Sequence, residues 1–288
     1  MPAKFIKKSV PKNFDDEASV RQKVAEMLRQ VRINGHTALL DFCMKFDGLE
    51  RKDLRVTEDE IRKAYDAVPT HIIEDLKFAA GRIEEFALLQ KKSIAPLEKE
   101  VSPGIILGHR IIPVSSCGAY VPGGRYPLPS SALMSIIPAR VAGVKRIVAC
   151  SPPSNATGTI HPATLVAMDI AGASEIYCMG GAQAIAALAY GTEEIKAVDI
   201  IVGPGNQWVT EAKRQVSGTV GIDFLAGPSE VLVIADGTAN PEFIAADLLA
   251  QSEHDPMARA ILIATDENMA MKVIEALEKF LGKLETSD

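Results

Sequence analysis

The chain is predicted to be an α/β protein with mainly parallel sheets, because from Tyr120 onward strand-like and helix-like segments alternate. A helical pattern over 130–144 leads to an apolar strand pattern over 146–150, and the same pair returns over 161–171 and 175–179. Short connections of this kind imply parallel strands joined by right-handed βαβ crossovers. The 288 residues, 47% of them apolar, can bury one large or two medium cores.

The N-terminal part is predicted to be helical. A helical pattern over 15–46 is interrupted at Gly35. Thr57 and Glu60 stand at the spacing of a capping box, which predicts the start of a second helix. A third helix is predicted over 69–91, with many charges on its outer face.

The remaining segments are predicted from the same two signals, the hydrophobic periodicity and the positions of proline and glycine. Pro96 and Pro103 are predicted to bracket a loop, since proline interrupts both helices and ladders. Short strand-like runs are predicted after it, at 105–107, 110–114 and 118–121. The later elements are a helix at 182–190, a strand at 198–202, a helix at 207–216, a strand at 231–235, a helix at 241–253, a strand at 260–264 and a helix at 267–284.

Composition excludes several classes of protein. The net charge of -6 argues against a nucleic-acid footprint. The charged N-terminus has no apolar segment of the kind found in a secretory signal, and no apolar run approaches the roughly 18–20 residues of a membrane span. The four cysteines are widely spaced without a CxxC pair, which favours free thiols in a reducing compartment. A cytoplasmic protein is therefore expected.

Two features near the predicted strand ends carry candidate chemistry. Residues 203–206 read Gly-Pro-Gly-Asn, but Trp208 replaces the third glycine of a dinucleotide fingerprint, so a tight turn with Asn206 as N-cap is the default. Gln251 and His254 lie three residues apart on one predicted helix face, where an amide oxygen and an imidazole can reach a divalent ion. That pair by itself is weak evidence, because a lone histidine at a helix end is more often structural.

Four long blocks give stronger evidence. They are GPGN at 203–206, AKRQVSGTVGID at 212–223, AGPSEVLVIAD at 226–236 and AADLLAQSEHD at 245–255. In this order and spacing the blocks closely resemble the signature segments of the histidinol dehydrogenase family. A single short motif can arise by chance, but four long ones together are very unlikely to.

The resemblance assigns roles to particular residues. It places Tyr120, Gln183 and Asn206 at an NAD site, where hydroxyl and amide groups can bond a ribose or an amide. From the residues alone, a packed tyrosine, a surface glutamine and a turn asparagine would be the default interpretations.

The resemblance also implies a zinc and substrate site. It assigns Ser229 to substrate binding, and Gln251 and His254 to both zinc and substrate binding. Without the resemblance, Ser229 would be read as an ordinary turn serine. An amide oxygen is a less usual zinc ligand than a nitrogen, a sulfur or a carboxylate.

The family's activity follows as an expectation. Such an enzyme uses zinc and two NAD in succession to oxidise histidinol through a bound aldehyde to histidine, the last step of histidine biosynthesis. The zinc would hold the substrate's imidazole and amine and position the reacting carbon against the nicotinamide. A homodimer, with a small-molecule substrate and neither nucleic-acid nor membrane partners, is expected.

The resemblance further implies two incomplete Rossmann-like domains, one inserted into the other and preceded by N-terminal helices. The expected boundaries are an arm at 1–14, a discontinuous first domain at 15–119 and 230–288, and an inserted domain at 120–229.

The family's Glu–His catalytic pair, and two further zinc ligands, are expected C-terminal to His254, and no Glu-His-Leu block follows the last helix. That helix carries a broad apolar stripe that needs a cover, including Phe280 and Leu281. The chain is therefore expected to be the N-terminal portion of a longer enzyme and not to turn over alone.

Two other hypotheses remain. One is a related NAD-dependent alcohol dehydrogenase of the sulfopropanediol type, and the other is a catalytically inactive nucleotide-binding subunit. A thiol nucleophile at Cys117 is disfavoured, because no histidine or lysine nearby would lower its pKa.

Overall fold

The computed structural model describes residues 4–8, 17–123, 127–154, 157–225, 230–254 and 258–284. It divides into two compact units. The larger unit spans residues 18–225. The smaller unit comprises the described residues from 230 onward together with residues 4–8 and Glu17.

The elements alternate after Tyr120, as predicted. The helices are α1 (Glu17–Asp47), α2 (Glu58–Ala67), α3 (Thr70–Lys92), α4 (Pro129–Ala142), α5 (Pro162–Ala171), α6 (Gly181–Tyr190), α7 (Gln207–Val216), α8 (Pro241–His254) and α9 (Glu267–Leu281). The strands are β1 (Leu97–Ser102), β2 (Ile105–His109), β3 (Ser116–Tyr120), β4 (Arg146–Ser151), β5 (Glu175–Cys178), β6 (Ile200–Val202), β7 (Gly221–Ile222), β8 (Glu230–Ala235) and β9 (Arg259–Ala264).

The first long helix is kinked where the sequence predicts. Gly35 adopts φ 55° and ψ −132° inside α1, a left-handed conformation that a residue with a Cβ rarely takes. The Glu193 carboxylate accepts a hydrogen bond from the His36 amide at 2.6 Å, so it caps the second half of the helix. The kink is thus built by a glycine and held by a distant glutamate.

The capping box of α2 is confirmed. The Thr57 hydroxyl accepts from the Glu60 amide at 3.2 Å, and the Glu60 carboxylate accepts from the Thr57 amide at 2.8 Å. Arg51 donates to the same carboxylate at 2.7 Å. These bonds satisfy amides that the first helical turn leaves without intrahelical partners.

The predicted loop between Pro96 and Pro103 is wrong. Residues Leu97–Ser102 form β1, which pairs antiparallel with β2. Pro103 and Gly104 occupy the turn between the two strands, and Gly104 has φ 81°, as the third position of a type II turn requires. The Pro-Gly pair therefore reverses the chain into a hairpin. The run 110–114 forms no strand.

The larger unit is built on a parallel sheet with the order β5-β4-β3-β6-β7. The chain passes from β3 outward through β4 to β5, then crosses to the other side at β6. Every residue of β3 is buried, so both faces of the central strand are covered. This is the doubly wound arrangement of a Rossmann-like domain, and the order of the strands reverses between β3 and β6. The short β7 was not predicted.

The smaller unit is a βαβ unit followed by a helix. Strands β8 and β9 are parallel, and α8 and α9 pack with them around a small apolar core. Phe280 packs against this core, whereas Leu281 is 38% exposed. The other sheet face exposes apolar side chains, namely Leu232, Ile234, Ile261 and Ile263.

The predicted domain boundaries can be set beside these units. The division after residue 225 lies close to the predicted boundary after 229. The helices α1 to α3 belong to the same unit as the five-stranded sheet. That 15–119 and 230–288 form one discontinuous domain stays a prediction, and most of the arm at 1–14 lies outside the described residues. No helix within the described ranges is long and apolar enough to cross a membrane.

Candidate functional site

The candidate nucleotide site lies at the carboxyl edge of the five-stranded sheet. β3 ends at Tyr120 and β6 ends at Val202, and these strands are neighbours at the point where the strand order reverses. In open α/β sheets, ligands bind in the crevice outside the strand ends at such a point. Gly203, with φ 109°, lies so close to Tyr120 that a Cβ there would collide with the Tyr120 carbonyl oxygen. Only glycine fits this position.

Tyr120 is a buried side chain at this edge, with 3% of its surface exposed. Its hydroxyl accepts a hydrogen bond from the Gly181 amide at 3.3 Å, at the start of α6. Burial raises the pKa of the Tyr120 phenol, so the hydroxyl stays protonated and remains a donor. The tyrosine therefore links the end of β3 to the turn after β5.

Gln183 lies in the first turn of α6 and is 1% exposed, so the expectation of a surface glutamine is not met. Its Nε2 donates to Asp47 Oδ2 at 3.1 Å. The same carboxylate oxygen accepts from the Gly180 amide at 3.2 Å. Burial raises the pKa of Asp47, and the two hydrogen bonds oppose that shift. Tyr120 and Gln183 are thus brought to one turn.

Asn206 is the N-cap of α7, as its position in the sequence predicts. Its Oδ1 accepts from the amides of Trp208 at 3.0 Å and Val209 at 3.2 Å. A side chain at Gly205 would collide with Val209, so the turn packs tightly against the helix. The structure places Asn206 three residues beyond Gly203, on the loop that leaves β6.

The sequence pattern did not predict an ion pair behind this loop, in which the lysine is buried and the aspartate is partly exposed. Lys213 is 3% exposed, and its Nζ donates to the Gly203 carbonyl at 2.8 Å and to Asp223 Oδ1 at 2.5 Å. Asp223 Oδ2 accepts from the Gly203 amide at 2.9 Å. The amide and the carbonyl of Gly203 are therefore both hydrogen-bonded to side chains of this ion pair. The available signal was Lys213 itself, which stands on the apolar stripe of α7 four residues after Val209.

The contact made by Asp47 was also not predicted, although the sequence carries a signal for it. Asp47 is the last residue of α1, where the helix dipole disfavours a negative charge. An acidic residue in that place indicates a partner elsewhere. The structure supplies the partner in the glycine turn before α6.

The candidate metal and substrate residues lie in the smaller unit. Gln251 and His254 occupy the last turn of α8, three residues apart as predicted. Gln251 is partly exposed, whereas the His254 side chain and Ser229 lie outside the described residues. That these two residues hold zinc stays a prediction. Among the described residues, no three His, Cys, Asp or Glu side chains lie together as a metal cluster.

The cysteines carry no nucleophile at this edge. All four thiols are free and buried. Burial raises the pKa of Cys117 and of Cys178 to about 12. A thiol with such a pKa is almost entirely protonated near neutral pH, and the thiolate is the reactive form. This supports the interpretation of Cys117 as a structural residue.

A shallow depression of about 440 Å³ lies elsewhere in the larger unit. It is lined by parts of α1 around Gly35 and by residues 190–197, which lead into the amino end of β6. It therefore shares none of the predicted site residues.

The strand order and the glycine turn at its reversal point define the larger unit as a Rossmann-like α/β domain. The chain belongs to the histidinol dehydrogenase family, a family of oxidoreductases, since the family model described as histidinol dehydrogenase matches residues 10–288.

Individual relatives agree with this assignment. A histidinol dehydrogenase homolog of Shouchella clausii is 47% identical over 99% of this chain and 68% of its own length. The histidinol dehydrogenase of Methanothermobacter thermautotrophicus is 48% identical over 95% of this chain and 63% of its own length. The crystal structure of histidinol dehydrogenase from Elizabethkingia anophelis is 41% identical with a TM-score of 0.86, covering 98% of this chain and 64% of that one. The chain thus spans about two thirds of the length of the relatives it matches.

Proposed function

We propose that this chain carries the nucleotide-binding part, and a portion of the zinc and substrate site, of a histidinol dehydrogenase. That enzyme would oxidise histidinol through histidinal to histidine with two NAD, in histidine biosynthesis. The observation that carries the proposal is the family match over residues 10–288 together with a reversal point at which Tyr120, Gly203 and the turn before Gln183 meet. The same proposal includes location of the enzyme in the cytoplasm and its assembly as a homodimer.

The larger unit would bind the dinucleotide. The dinucleotide would lie in the crevice at the reversal point, outside the carboxyl ends of β3 and β6. Tyr120 and Gln183 are buried and held by hydrogen bonds, so their polar atoms are oriented before a ligand arrives. Preorganisation of this kind lowers the entropic cost of binding.

The smaller unit would contribute to the metal and the substrate. Gln251 and His254 would hold zinc, and the hydroxyl of Ser229 would bond the polar amino alcohol. When bound, the zinc would supply a positive centre that orients the substrate's imidazole and amine. Proton abstraction would be carried out by the family's Glu–His pair.

The nucleotide proposal has a convenient probe, because Trp208 is the only tryptophan in the chain and lies two residues after Asn206. Bound NADH would accept excitation energy from Trp208, so the fluorescence of NADH would rise when the tryptophan is excited. Asn206→Ser keeps a helix cap but removes the amide, and it is expected to weaken NADH binding. Asp266→Ala, which removes the N-cap of α9, is the matched control and should leave binding unchanged. Absence of saturable energy transfer in the unchanged chain contradicts the proposal.

The zinc proposal is tested by metal content after dialysis against a zinc buffer. Gln251→Ala and His254→Ala are each expected to reduce bound zinc. His161→Ala is the control, because His161 caps α5 through its ring nitrogen. Equal zinc retention by all variants would contradict the assignment of these two ligands.

A related dehydrogenase with another alcohol substrate is the second candidate. The Shouchella clausii relative bears the name histidinol dehydrogenase homolog, and its identity to this chain equals that of the named histidinol dehydrogenases within two percentage points. Identity therefore does not separate the two substrates. Assay of a longer form that includes the catalytic pair, with histidinol against small diols, separates them.

A further inference from the structure

Asp47 joins α1 to the turn that precedes α6. Its Oδ2 atom accepts both from the Gly180 amide and from Gln183 Nε2. Gly180 has no room for a side chain, since a Cβ would lie 2.5 Å from Pro152 Cβ. The turn therefore has no side-chain cap of its own, and the carboxylate reaches it from a point 133 residues earlier in the chain.

The chemistry of this contact fixes the orientation of the Gln183 amide. An ionised carboxylate only accepts hydrogen bonds, so Gln183 must present its NH₂ group to Asp47. Its carbonyl oxygen then faces the glycine turn, and Oε1 lies 2.6 Å from the place a Gly181 Cβ would occupy. With Asp47 in place, the amide cannot flip without bringing two acceptors together.

We propose that Asp47 is a positioning residue of the nucleotide site, which acts through Gln183 by fixing the orientation of its amide, with the carbonyl oxygen toward the turn at Gly180 and Gly181. This inference rests on the proposed function, because it takes Gln183 as a contact to the dinucleotide. Asp47 does not itself touch the ligand. Its burial raises the pKa of the carboxyl, because burial disfavours the ionised form, and the hydrogen bonds from Gly180 and Gln183 oppose that shift.

The experiment is a double-mutant cycle on NADH affinity, read through energy transfer from Trp208. Asp47→Ala is expected to weaken binding by about tenfold, the size of one charge-assisted hydrogen bond. The double variant Asp47→Ala/Gln183→Ala is expected to bind within about twofold of Gln183→Ala, because the first change acts only through the second residue. Additive losses would overturn the inference.

Asp47→Asn provides a rescue. One amide oxygen in the place of Oδ2 can accept from both Gly180 and Gln183, so affinity is expected within about threefold of the unchanged chain. Asp47→Glu keeps the charge but displaces the acceptor by one methylene group, and it is expected to weaken binding like the alanine variant. If Asp47→Ala does not fold, Asp47→Glu tests the inference in its place.

Asp199→Ala is the matched control. Asp199 Oδ2 also accepts two hydrogen bonds, from the Ser116 amide at 2.7 Å and the Ser116 hydroxyl at 3.0 Å, but at the amino edge of the sheet. It is expected to lower the unfolding midpoint without changing affinity for NADH. Unchanged affinity in both Asp47→Ala and Asp47→Glu overturns the inference about Asp47 and leaves the proposed nucleotide site standing. Failure of the unchanged chain to bind NADH overturns the proposed nucleotide site and the inference with it.

Discussion

The larger and smaller units each contain a βαβ unit, and the two differ in how their strands are covered. In the larger unit, β3 and β4 are joined by α4, and every residue of β3 is buried. In the smaller unit, β8 and β9 are joined by α8, and exposed residues alternate with covered ones along β8. Both pairs are parallel.

The difference teaches that an apolar strand does not specify how many of its faces are buried. Ile201 in β6 is fully buried, whereas Ile234 in β8 is 72% exposed. Parallel strands usually have helices over both faces. In the larger unit that condition is met at β3, and in the smaller unit α8 and α9 form a core on one face of the sheet.

The largest expected effect is at the glycine of the reversal point. Gly203→Ala should lower the free energy of unfolding by more than about 4 kcal/mol, because the new Cβ collides with a backbone oxygen at a left-handed φ. Gly237→Ala in the smaller unit is the control, since its nearest contact is 3.6 Å away, and it should change the value by less than about 0.5 kcal/mol. Urea unfolding measures both. Equal midpoints would refute the close packing of Gly203 and Tyr120.

Truncation of matched isoleucines tests the contrast in coverage. Ile201→Ala should lower the free energy of unfolding by about 3 kcal/mol, since it leaves a cavity in a closed core. Ile234→Ala should change it by less than about 0.5 kcal/mol, because the side chain is already exposed. Thermal and urea unfolding of the two variants give the comparison. A large loss at Ile234 would show that the open face is covered in solution.

Two lysine ion pairs, one in each unit, also differ in burial, and the more buried pair is expected to contribute more stability. Lys213→Met should cost about 2 kcal/mol, because it leaves Asp223 without its buried partner. Lys279→Met removes the Lys279–Glu242 pair, in which both side chains are more than half exposed, and should have no measurable effect. Unfolding at low and high salt checks this, since only exposed pairs are strongly screened. A Lys213 variant as stable as the unchanged chain would be the contrary result.

The smallest expected effect concerns acid stability. Hydrogen bonds from Arg51 and Thr57 outweigh burial and lower the pKa of Glu60. Its stabilisation is therefore present above the pKa of the unfolded chain, near 4.3, and is lost as pH falls through the lower folded value. Glu60→Gln should cost about 1 kcal/mol or less at pH 7, and the difference should vanish in acid. The hydrogen bond from Lys279 also lowers the pKa of Glu242, but both side chains are more than half exposed, so Glu242→Gln should show a weaker pH dependence than Glu60→Gln.

Local signals predicted most elements and some of the candidate site. The bounds of α7 were predicted without error, because Asn206 caps it and its apolar stripe has a helical period. The kink at Gly35 and the box at Thr57 were found for the same reason. The hairpin before β3 is not predicted, because prolines at 96 and 103 are typical of the ends of a loop. In the structure, Pro103 and Gly104 form the turn between two paired strands.

Other features depended on partners far along the chain. The two residues of β7 form a strand only because they pair with β6. Asp47 meets Gln183 across 136 residues, and no periodic pattern records such a contact. The roles of Tyr120, Gln183 and Asn206 at a nucleotide site came from resemblance to a family and stay predictions. The same holds for the roles of Ser229, Gln251 and His254.

By itself, the sequence determined the alternation of helices and strands, the caps and kink, and membership of the histidinol dehydrogenase family, because each depends on neighbouring residues or on long matching blocks. Only the tertiary structure decided the strand order, the burial of Gln183 and the partners of Asp47 and Lys213. The physical reason is that hydrogen bonds and packing join residues that are distant in the chain, and burial depends on every element that covers a side chain.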